Sequence, residues 1–182
     1  MRSFIDRLVS AGIGETWNFY RDGPGADLRV RRLAEYLDAR AGAPILLVGE
    51  APGYRGARVS GLPFTSERQL TGTGPAEATA TIVHRVLGEL GLADRVLLWN
   101  VVPTHPGTAV SNRRPTAEEV RAGREFAREL GRGRLVVGVG RVAADALGAP
   151  YVRHPSRGGL AGFREGLLQF APGGRLVRRF SV

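Results

Sequence analysis

The sequence contains no cysteine and no lysine, and it has no long hydrophobic run. Without cysteine the chain cannot form a disulfide, a thiolate zinc site or a cysteine-held iron–sulfur cluster, and this composition fits a reducing compartment. No apolar run approaches the ~20 residues that a membrane-spanning helix needs, and the opening MRSFIDRLVS is not patterned as a signal peptide. We therefore expect a cytoplasmic protein with no membrane partner.

The positive charge of the chain comes entirely from arginine. The 26 basic residues are all arginine and outnumber the 17 acidic residues, which gives a net charge of +9. A compositional bias of the genome is the simplest explanation for the missing lysine. The net charge itself favours an acidic partner such as a nucleic acid, and arginine pairs with phosphate through two parallel hydrogen bonds.

Hydrophobic patterning predicts alternating helices and strands within a single domain over 1–182. An N-terminal helical region over 1–42 packs on this domain, and its second helix directs Leu28, Leu33 and Leu37 inward. Strands are expected at 44–49, 95–102, 135–140 and 150–153. Helices are expected at 3–11, at 27–41, at 75–90 after an opening Pro75, from Thr116 to 130, at 141–147 and at 159–169.

The strands are continuous apolar runs, such as ILLV at 45–48. Runs of this kind are typical of a parallel sheet that helices cover on both faces. Ligands bind beyond the carboxyl ends of the strands in such sheets. The loops after Gly49 and Asn100 and the loop around His154 should therefore meet at one edge of the sheet, where we expect the functional site.

The loop at 49–65, GEAPGYRGARVSGLPFT, is rich in glycine and proline. Such a loop suits close approach of its backbone to a ligand. Phe64 within it either packs into the core or stacks on an aromatic ligand. Glu50 either caps backbone N–H groups or binds a ligand, and Tyr54 and Arg55 line a pocket or only its rim.

Asn100 and His154 are the polar residues best placed for chemistry. An amide at the end of a buried strand needs partners, because an unpaired one costs about 1–3 kcal/mol. Asn100 therefore either bonds to a neighbouring loop or presents a donor and an acceptor to the edge of a ligand ring. His154 lies beside a proline in a glycine-rich turn, which presents it from a loop. His105 has a similar setting and is a second-rank candidate.

Two other patterns carry less information. Gly138–Ala143 matches GxGxxA between a strand and a helix, but the acidic residue expected about 20 positions later at a strand end is missing. Close packing of the helix on the sheet is the alternative to a dinucleotide site. The histidines are far apart, with no metal-ligand spacing, and we expect no metal or other cofactor.

Four segments taken in order resemble the uracil-DNA glycosylase superfamily. They are GEAPG at 49–53, GLPF at 61–64, the strand-end Asn100 and HPS at 154–156, within a similarity that extends from Leu46 to Phe170. The resemblance implies a three-layer α/β/α sandwich with a central four-stranded parallel sheet. It also implies a monomeric enzyme that flips uracil out of DNA and hydrolyses its N-glycosidic bond without a cofactor, leaving an abasic site.

The resemblance also implies roles for individual residues. Phe64 stacks on the flipped base, Asn100 reads its edge, and His154 hydrogen-bonds the oxygen on which charge develops. The remaining base-binding positions are in the first loop, whose backbone also holds the attacking water: Gly49, Glu50, Ala51, Pro52, Gly53 and Tyr54. The loop that presses on the duplex comprises Pro155, Ser156, Arg157 and Gly158, with Arg157 as the wedge that fills the vacated stack.

The sequence departs from the family at one position that helps to activate water and at one that excludes the methyl group of thymine. Ala51 and Gly53 stand where the best-known branch has an aspartate and a tyrosine, and the branch with a similar GEAPG loop carries a cysteine-held cluster. The chain therefore resembles an atypical branch without a cluster, in which Glu50 is the nominee for water activation. The alternatives are a glycosylase for hypoxanthine or xanthine and a damaged-DNA binding protein with weak catalysis.

Overall fold

The structure is a computed structural model that describes residues 2–172. Four strands, β1 (Ile45–Gly49), β2 (Val96–Asn100), β3 (Leu135–Val139) and β4 (Tyr151–Val152), alternate with helices. The helices are α1 (Arg2–Ser10), α2 (Ala26–Ala39), α3 (Ala57–Ser60), α4 (Glu67–Thr71), α5 (Ala78–Glu89), α6 (Ala117–Leu130), α7 (Arg141–Leu147) and α8 (Leu160–Leu168). The predicted domain over 1–182 includes Met1 and 173–182, which lie outside the described residues.

All four strands run parallel in the order β2-β1-β3-β4. This confirms the predicted α/β fold with a central four-stranded parallel sheet. The register pairs Gly49 with Asn100, so two of the predicted site segments begin side by side at the carboxyl edge. The third segment follows β4, which pairs with β3.

β1, β2 and β3 pack against helices on both faces, which explains their largely apolar sequences. In β1, Leu46 and Val48 belong to a core shared with α1, α2, α6 and α7. Ile45 and Leu47 point the other way, into a core shared with α5 and α8. Because successive strand side chains alternate between faces, both sets are apolar in a covered sheet. The molecule therefore has the three predicted layers.

The segment between β1 and β2 differs from the prediction. The predicted loop at 49–65 contains the short helix α3, and α4 follows it. Ser66 and Gln69 form a capping box that starts α4, and the backbone N–H of Arg68 donates to the carbonyl of Pro75 at 3.2 Å. Pro75 is thereby held in a turn, and α5 begins at Ala78 rather than at Pro75.

The N-terminal region contacts the first loop and holds it in place. Leu28 is 42% exposed, in contrast to the prediction, because the neighbouring Arg29 occupies the inward position and donates hydrogen bonds to the carbonyls of Phe19, Asp22 and Pro24. Tyr20 donates its hydroxyl proton to the carbonyl of Gly61 at 2.9 Å. The segment at 18–21 thus anchors the turn that leads to Phe64.

The GxGxxA segment joins β3 to α7 by close packing. A Cβ atom at Gly138 would lie 2.5 Å from the backbone of Ala144, so glycine allows the helix to approach the strand. This contact supports packing as the reason for the pattern. Within the described part of the chain, we find no helix with the length and apolar character needed to cross a bilayer.

Candidate active site

A cleft of about 750 Å³ opens at the carboxyl edge of the sheet. The three loops that were expected to meet there all contribute to its walls. The predicted site residues that line it are Glu50, Ala51, Pro52, Gly53, Phe64, Asn100, His154, Ser156 and Arg157. Four others do not line it: Gly49, Tyr54, Pro155 and Gly158.

Gly49 brings Phe64 and Asn100 together. A Cβ atom at Gly49 would overlap the Phe64 ring and would lie 3.0 Å from Oδ1 of Asn100. Only glycine therefore leaves room for the aromatic ring and the amide at the same point on β1. The result is a ring and an amide edge placed next to each other, which are the two elements needed to hold a planar base.

The Asn100 side chain is aimed at the cleft rather than at a loop. The residue is 5% exposed, and no side chain or backbone group among residues 2–172 forms a hydrogen bond with its amide. Its amide atoms reach the surface of the cleft, where water or a ligand can form hydrogen bonds with them. The geometry therefore favours ligand recognition over a structural bond to a neighbouring loop.

Phe64 has a φ of +52°, in the left-handed region that residues with a side chain seldom adopt. Such a conformation costs on the order of 1–3 kcal/mol and persists only where its surroundings enforce it. Here Ser60 Oγ donates to the carbonyl of Thr65 at 2.6 Å and accepts from the N–H of Leu62 at 3.0 Å. The ring packs into the core around β1 and also lines the cleft, so both sequence interpretations describe part of its environment.

His154 is half-buried, and the contacts at Nδ1 define its neutral tautomer. The backbone N–H of Ser156 donates to Nδ1 at 3.2 Å, and Oγ of Ser156 lies 2.8 Å from the same atom. Nδ1 is therefore an acceptor, which leaves the proton of the neutral ring on Nε2. Burial lowers the pKa of His154 below 6.5, so the ring is neutral at pH 7.

The loop after His154 exposes an arginine in a constrained conformation. Pro155 is buried, whereas Arg157 and Gly158 are exposed. Arg157 has a φ of +51°. Among the residues other than glycine at 2–172, only Arg157 and Phe64 have a positive φ. Backbone strain concentrates at functional sites, and here it coincides with two residues that the sequence singled out.

The first and second loops are tied to each other by hydrogen bonds. The N–H of Tyr54 donates to Oδ1 of Asn112 at 2.8 Å, and the guanidinium of Arg55 lies 5.3 Å from the Tyr54 ring. The N–H groups of Val101 and Val102 donate to the carbonyls of Gly49 and Glu50. These contacts fix the GEAPG backbone and direct Tyr54 outside the cleft.

His105 lies between the two loops and not in the cleft, so the structure favours a structural role over the functional one for which it was a second-rank candidate. Its side chain is fully buried, with Nδ1 at 2.8 Å from the carbonyl of Pro52 and Nε2 at 2.9 Å from the carbonyl of Thr108. Both ring nitrogens are therefore engaged by backbone. The ring connects the first loop to the second and does not line the cleft.

The sequence did not identify several charged residues of the cleft. Glu77, just before α5, lines it together with Glu50. Burial raises the pKa of both carboxyls, and for Glu50 the nearby Arg114 opposes the increase. Five arginines line the walls as well: Arg113, Arg114, Arg141, Arg153 and Arg157. The one available signal for Glu77 was an acidic residue at a helix start, which is too common to single it out.

The side chains in the described part of the chain form no cluster of three or more histidine, cysteine, aspartate or glutamate residues able to hold a metal ion. The chemistry that this cleft can perform with its own groups is hydrogen bonding, stacking and proton transfer. Carboxyls, a neutral imidazole and an amide are all present around one aromatic ring.

Comparisons with known proteins identify the family and the fold of the chain. Residues 37–173, more than half of the chain, match the Uracil DNA glycosylase superfamily. The chain is also similar to the crystal structure of SMUG2 from Pedobacter heparinus, with a TM-score of 0.59 and 13% sequence identity, over 90% of this chain and 96% of that chain. A sequence search of curated proteins found no match. The chain belongs to the uracil-DNA glycosylase superfamily, and it is a DNA glycosylase of that type.

Proposed function

We propose that this protein removes uracil from DNA by hydrolysing the bond between the base and the sugar. The observation that carries the proposal is the meeting of Phe64, Asn100 and His154 in one cleft. A base inside a duplex cannot reach such a cleft, so the nucleotide must be extruded at a cost of a few kcal/mol. Stacking and edge recognition in the cleft offset this cost.

Phe64 and Asn100 bind the extruded base in this mechanism. The Phe64 ring supplies the stacking face, and its enforced backbone conformation keeps the ring in place. The Asn100 amide offers a donor and an acceptor side by side, which match O4 and N3–H of uracil. The backbone of Gly49–Gly53 forms the adjoining wall, where Ala51 and Gly53 add no bulk.

His154 stabilises the leaving base. Breaking the bond between C1′ and N1 leaves negative charge on the base, mainly on its carbonyl oxygens. The neutral imidazole donates Nε2–H to O2, while the Nδ1 contacts with Ser156 hold its tautomer and orientation. One preorganised donor of this kind contributes ~10²–10³ in rate.

Glu50 has an electrostatic part in the mechanism. The sugar becomes positively charged as the bond breaks, and a carboxylate at the end of β1 stabilises that charge. Arg114 opposes the effect of burial on the pKa of Glu50, which favours the ionised form that this role needs. We therefore keep Glu50 among the proposed catalytic residues.

The surface around the cleft is suited to a DNA backbone. The exposed Arg157 is the proposed wedge, and Pro155, Ser156 and Gly158 shape the loop that carries it. The cleft arginines and the net charge of +9 attract phosphates, with an affinity that falls as salt rises. This binding does not depend on sequence, as a search for damage requires.

The direct test is base release from oligonucleotides that carry one uracil, either single-stranded or opposite guanine or adenine. We expect abasic sites, detected as strand breaks after alkali, without added metal. Parallel substrates with hypoxanthine, xanthine or a thymine mispair define the base range. Folded protein that releases none of these bases yet binds uracil-containing DNA preferentially would support the damaged-DNA binding alternative instead.

A further inference from the structure

Glu77 is a carboxyl of the cleft for which the proposed function has so far given no role. It occupies the position before α5 where a side chain often caps a helix, yet its carboxylate forms no capping hydrogen bond. The side chain instead lies along the cleft wall. Its orientation is therefore not explained by the start of the helix.

Two glycines of the first loop make room for the Glu77 carboxylate. A Cβ atom at Gly53 would overlap Oε1 of Glu77, and a Cβ atom at Gly56 would overlap Oε2. The carboxylate thus rests directly on the loop backbone, on the side where side chains of residues 53 and 56 would otherwise stand. The space that the Glu77 carboxylate needs therefore explains why glycine stands at 53 and 56.

The environment of Glu77 favours proton uptake. Burial raises its pKa, and no charged group contributes to the shift. No hydrogen bond or ion pair connects its carboxylate to another side chain among residues 2–172. Glu50 differs, because Arg114 counteracts the effect of burial there. The other titratable or charged groups of the cleft are Glu50, His154, Arg113, Arg114, Arg141, Arg153 and Arg157.

We propose that Glu77 is the general base that takes a proton from the attacking water. This inference rests on the proposed function, and it separates two roles: Glu77 activates water while Glu50 supplies negative charge to the sugar. Water attacks C1′ as the bond to N1 breaks, the bonding electrons leave with the base, and the water proton passes to the Glu77 carboxylate. The neutral carboxylic acid then returns the proton to solvent.

The first test is the single-turnover rate of uracil release by Glu77→Gln, which keeps the shape of the side chain. We expect a loss of ~10²–10⁴-fold at neutral pH, the usual contribution of a general base, with unchanged binding to uncleaved DNA. Glu89→Gln is the matched control, because Glu89 is exposed at the far end of the same helix. Its rate should equal that of the wild type.

The second test is the pH profile. The wild-type rate should rise with pH through the raised pKa of Glu77, because only the ionised form accepts a proton. Glu77→Gln should lose this step and keep only the pH dependence that Glu50 and His154 contribute, and Glu77→Asp should keep the step at a reduced rate. A merely structural role would lower the rate of Glu77→Gln and leave the shape of the profile unchanged.

Thermal stability provides an independent readout. A carboxyl whose pKa is raised on folding destabilises the folded state above its unfolded pKa, and the penalty grows as pH rises through the folded pKa. Glu77→Gln removes that penalty, so its melting temperature at pH 8 should equal or exceed that of the wild type. A lower melting temperature together with an unchanged pH profile would overturn the proposal.

The outcomes separate this inference from the proposed function. If the wild type releases uracil and Glu77→Gln does so equally fast, the role of Glu77 is wrong and the function stands. If the wild type releases only another deaminated base, uracil specificity is wrong, and a loss of that release in Glu77→Gln still supports water activation. A wild type that releases no base overturns both.

Discussion

His105 and His154 have nearly the same local sequence, and the fold gives them opposite environments. Each precedes a proline in a loop at the carboxyl edge of the sheet. His105 is fully buried with both ring nitrogens at backbone carbonyls, whereas His154 uses only Nδ1 and keeps Nε2 available in the cleft. The two rings differ in the number of nitrogens that lie against backbone carbonyls, and on this difference we propose a structural role for His105 and a functional one for His154.

Between the two histidines, the larger expected effect on catalysis is at His154. His154→Ala removes the donor to the leaving base and should lower the single-turnover rate of uracil release by ~10²–10³-fold. Binding to DNA and the melting temperature should change little, because the ring is half-buried and its bonds are confined to its own loop. Rate measurements together with a binding titration check this. An unchanged rate would remove His154 from the mechanism.

At His105 we expect a loss of stability and no separate loss of rate. His105→Ala leaves the buried carbonyl that accepts the ring N–H, that of Pro52 or of Thr108 according to the tautomer, without its donor, which costs about 1–3 kcal/mol of unfolding free energy. The loss should appear in chemical denaturation as a lower midpoint with an unchanged slope. Any loss of rate should be accompanied by this loss of stability. A stable His105→Ala variant with a large rate defect would instead assign His105 to the chemistry.

The comparison shows why sequence alone could not separate the two histidines. The partners of Nδ1 in His154 belong to Ser156, two residues away, and such contacts are within reach of local reasoning. The partner of Nδ1 in His105 is Pro52, 53 residues earlier in the chain. Only the folded sheet edge brings these two segments together, so a local pattern could not predict the burial.

The same difference between local and distant contacts explains which parts of the fold could be predicted. The parallel sheet was predictable because strands covered on both faces must be continuously apolar, as in β1. The strand ends then placed Asn100 beside Gly49 without any knowledge of the side-chain contacts. The predicted start of α5 at Pro75 was wrong, because the capping box at Ser66 and the turn at Pro75 hold this segment in a different local structure.

Glu77 was not predicted as a site residue, because its contacts are also with residues distant in the sequence. Its carboxylate contacts Gly53 and Gly56, which precede it by more than twenty residues, and the two short helices α3 and α4 lie between Gly56 and Glu77. The glycines of the first loop were predicted to permit close approach to a ligand, which stays a prediction. No local pattern indicated that the Glu77 side chain of this same chain lies against two of them.

The smallest expected effect on the rate of uracil release is at Ser156, which contacts His154. Ser156→Ala removes the hydroxyl beside Nδ1 of His154 but keeps the backbone N–H that also donates to Nδ1. Loss of one hydrogen bond of about 0.5–1.5 kcal/mol should slow uracil release by only ~2–10-fold. The hydroxyl favours the neutral ring, so its loss should also raise the pKa of His154, which burial holds below 6.5 in the wild type. An NMR titration of the imidazole ring protons measures this shift, and a pKa that stays unchanged while the rate falls would mean that Ser156 acts on the DNA instead of on the tautomer of His154.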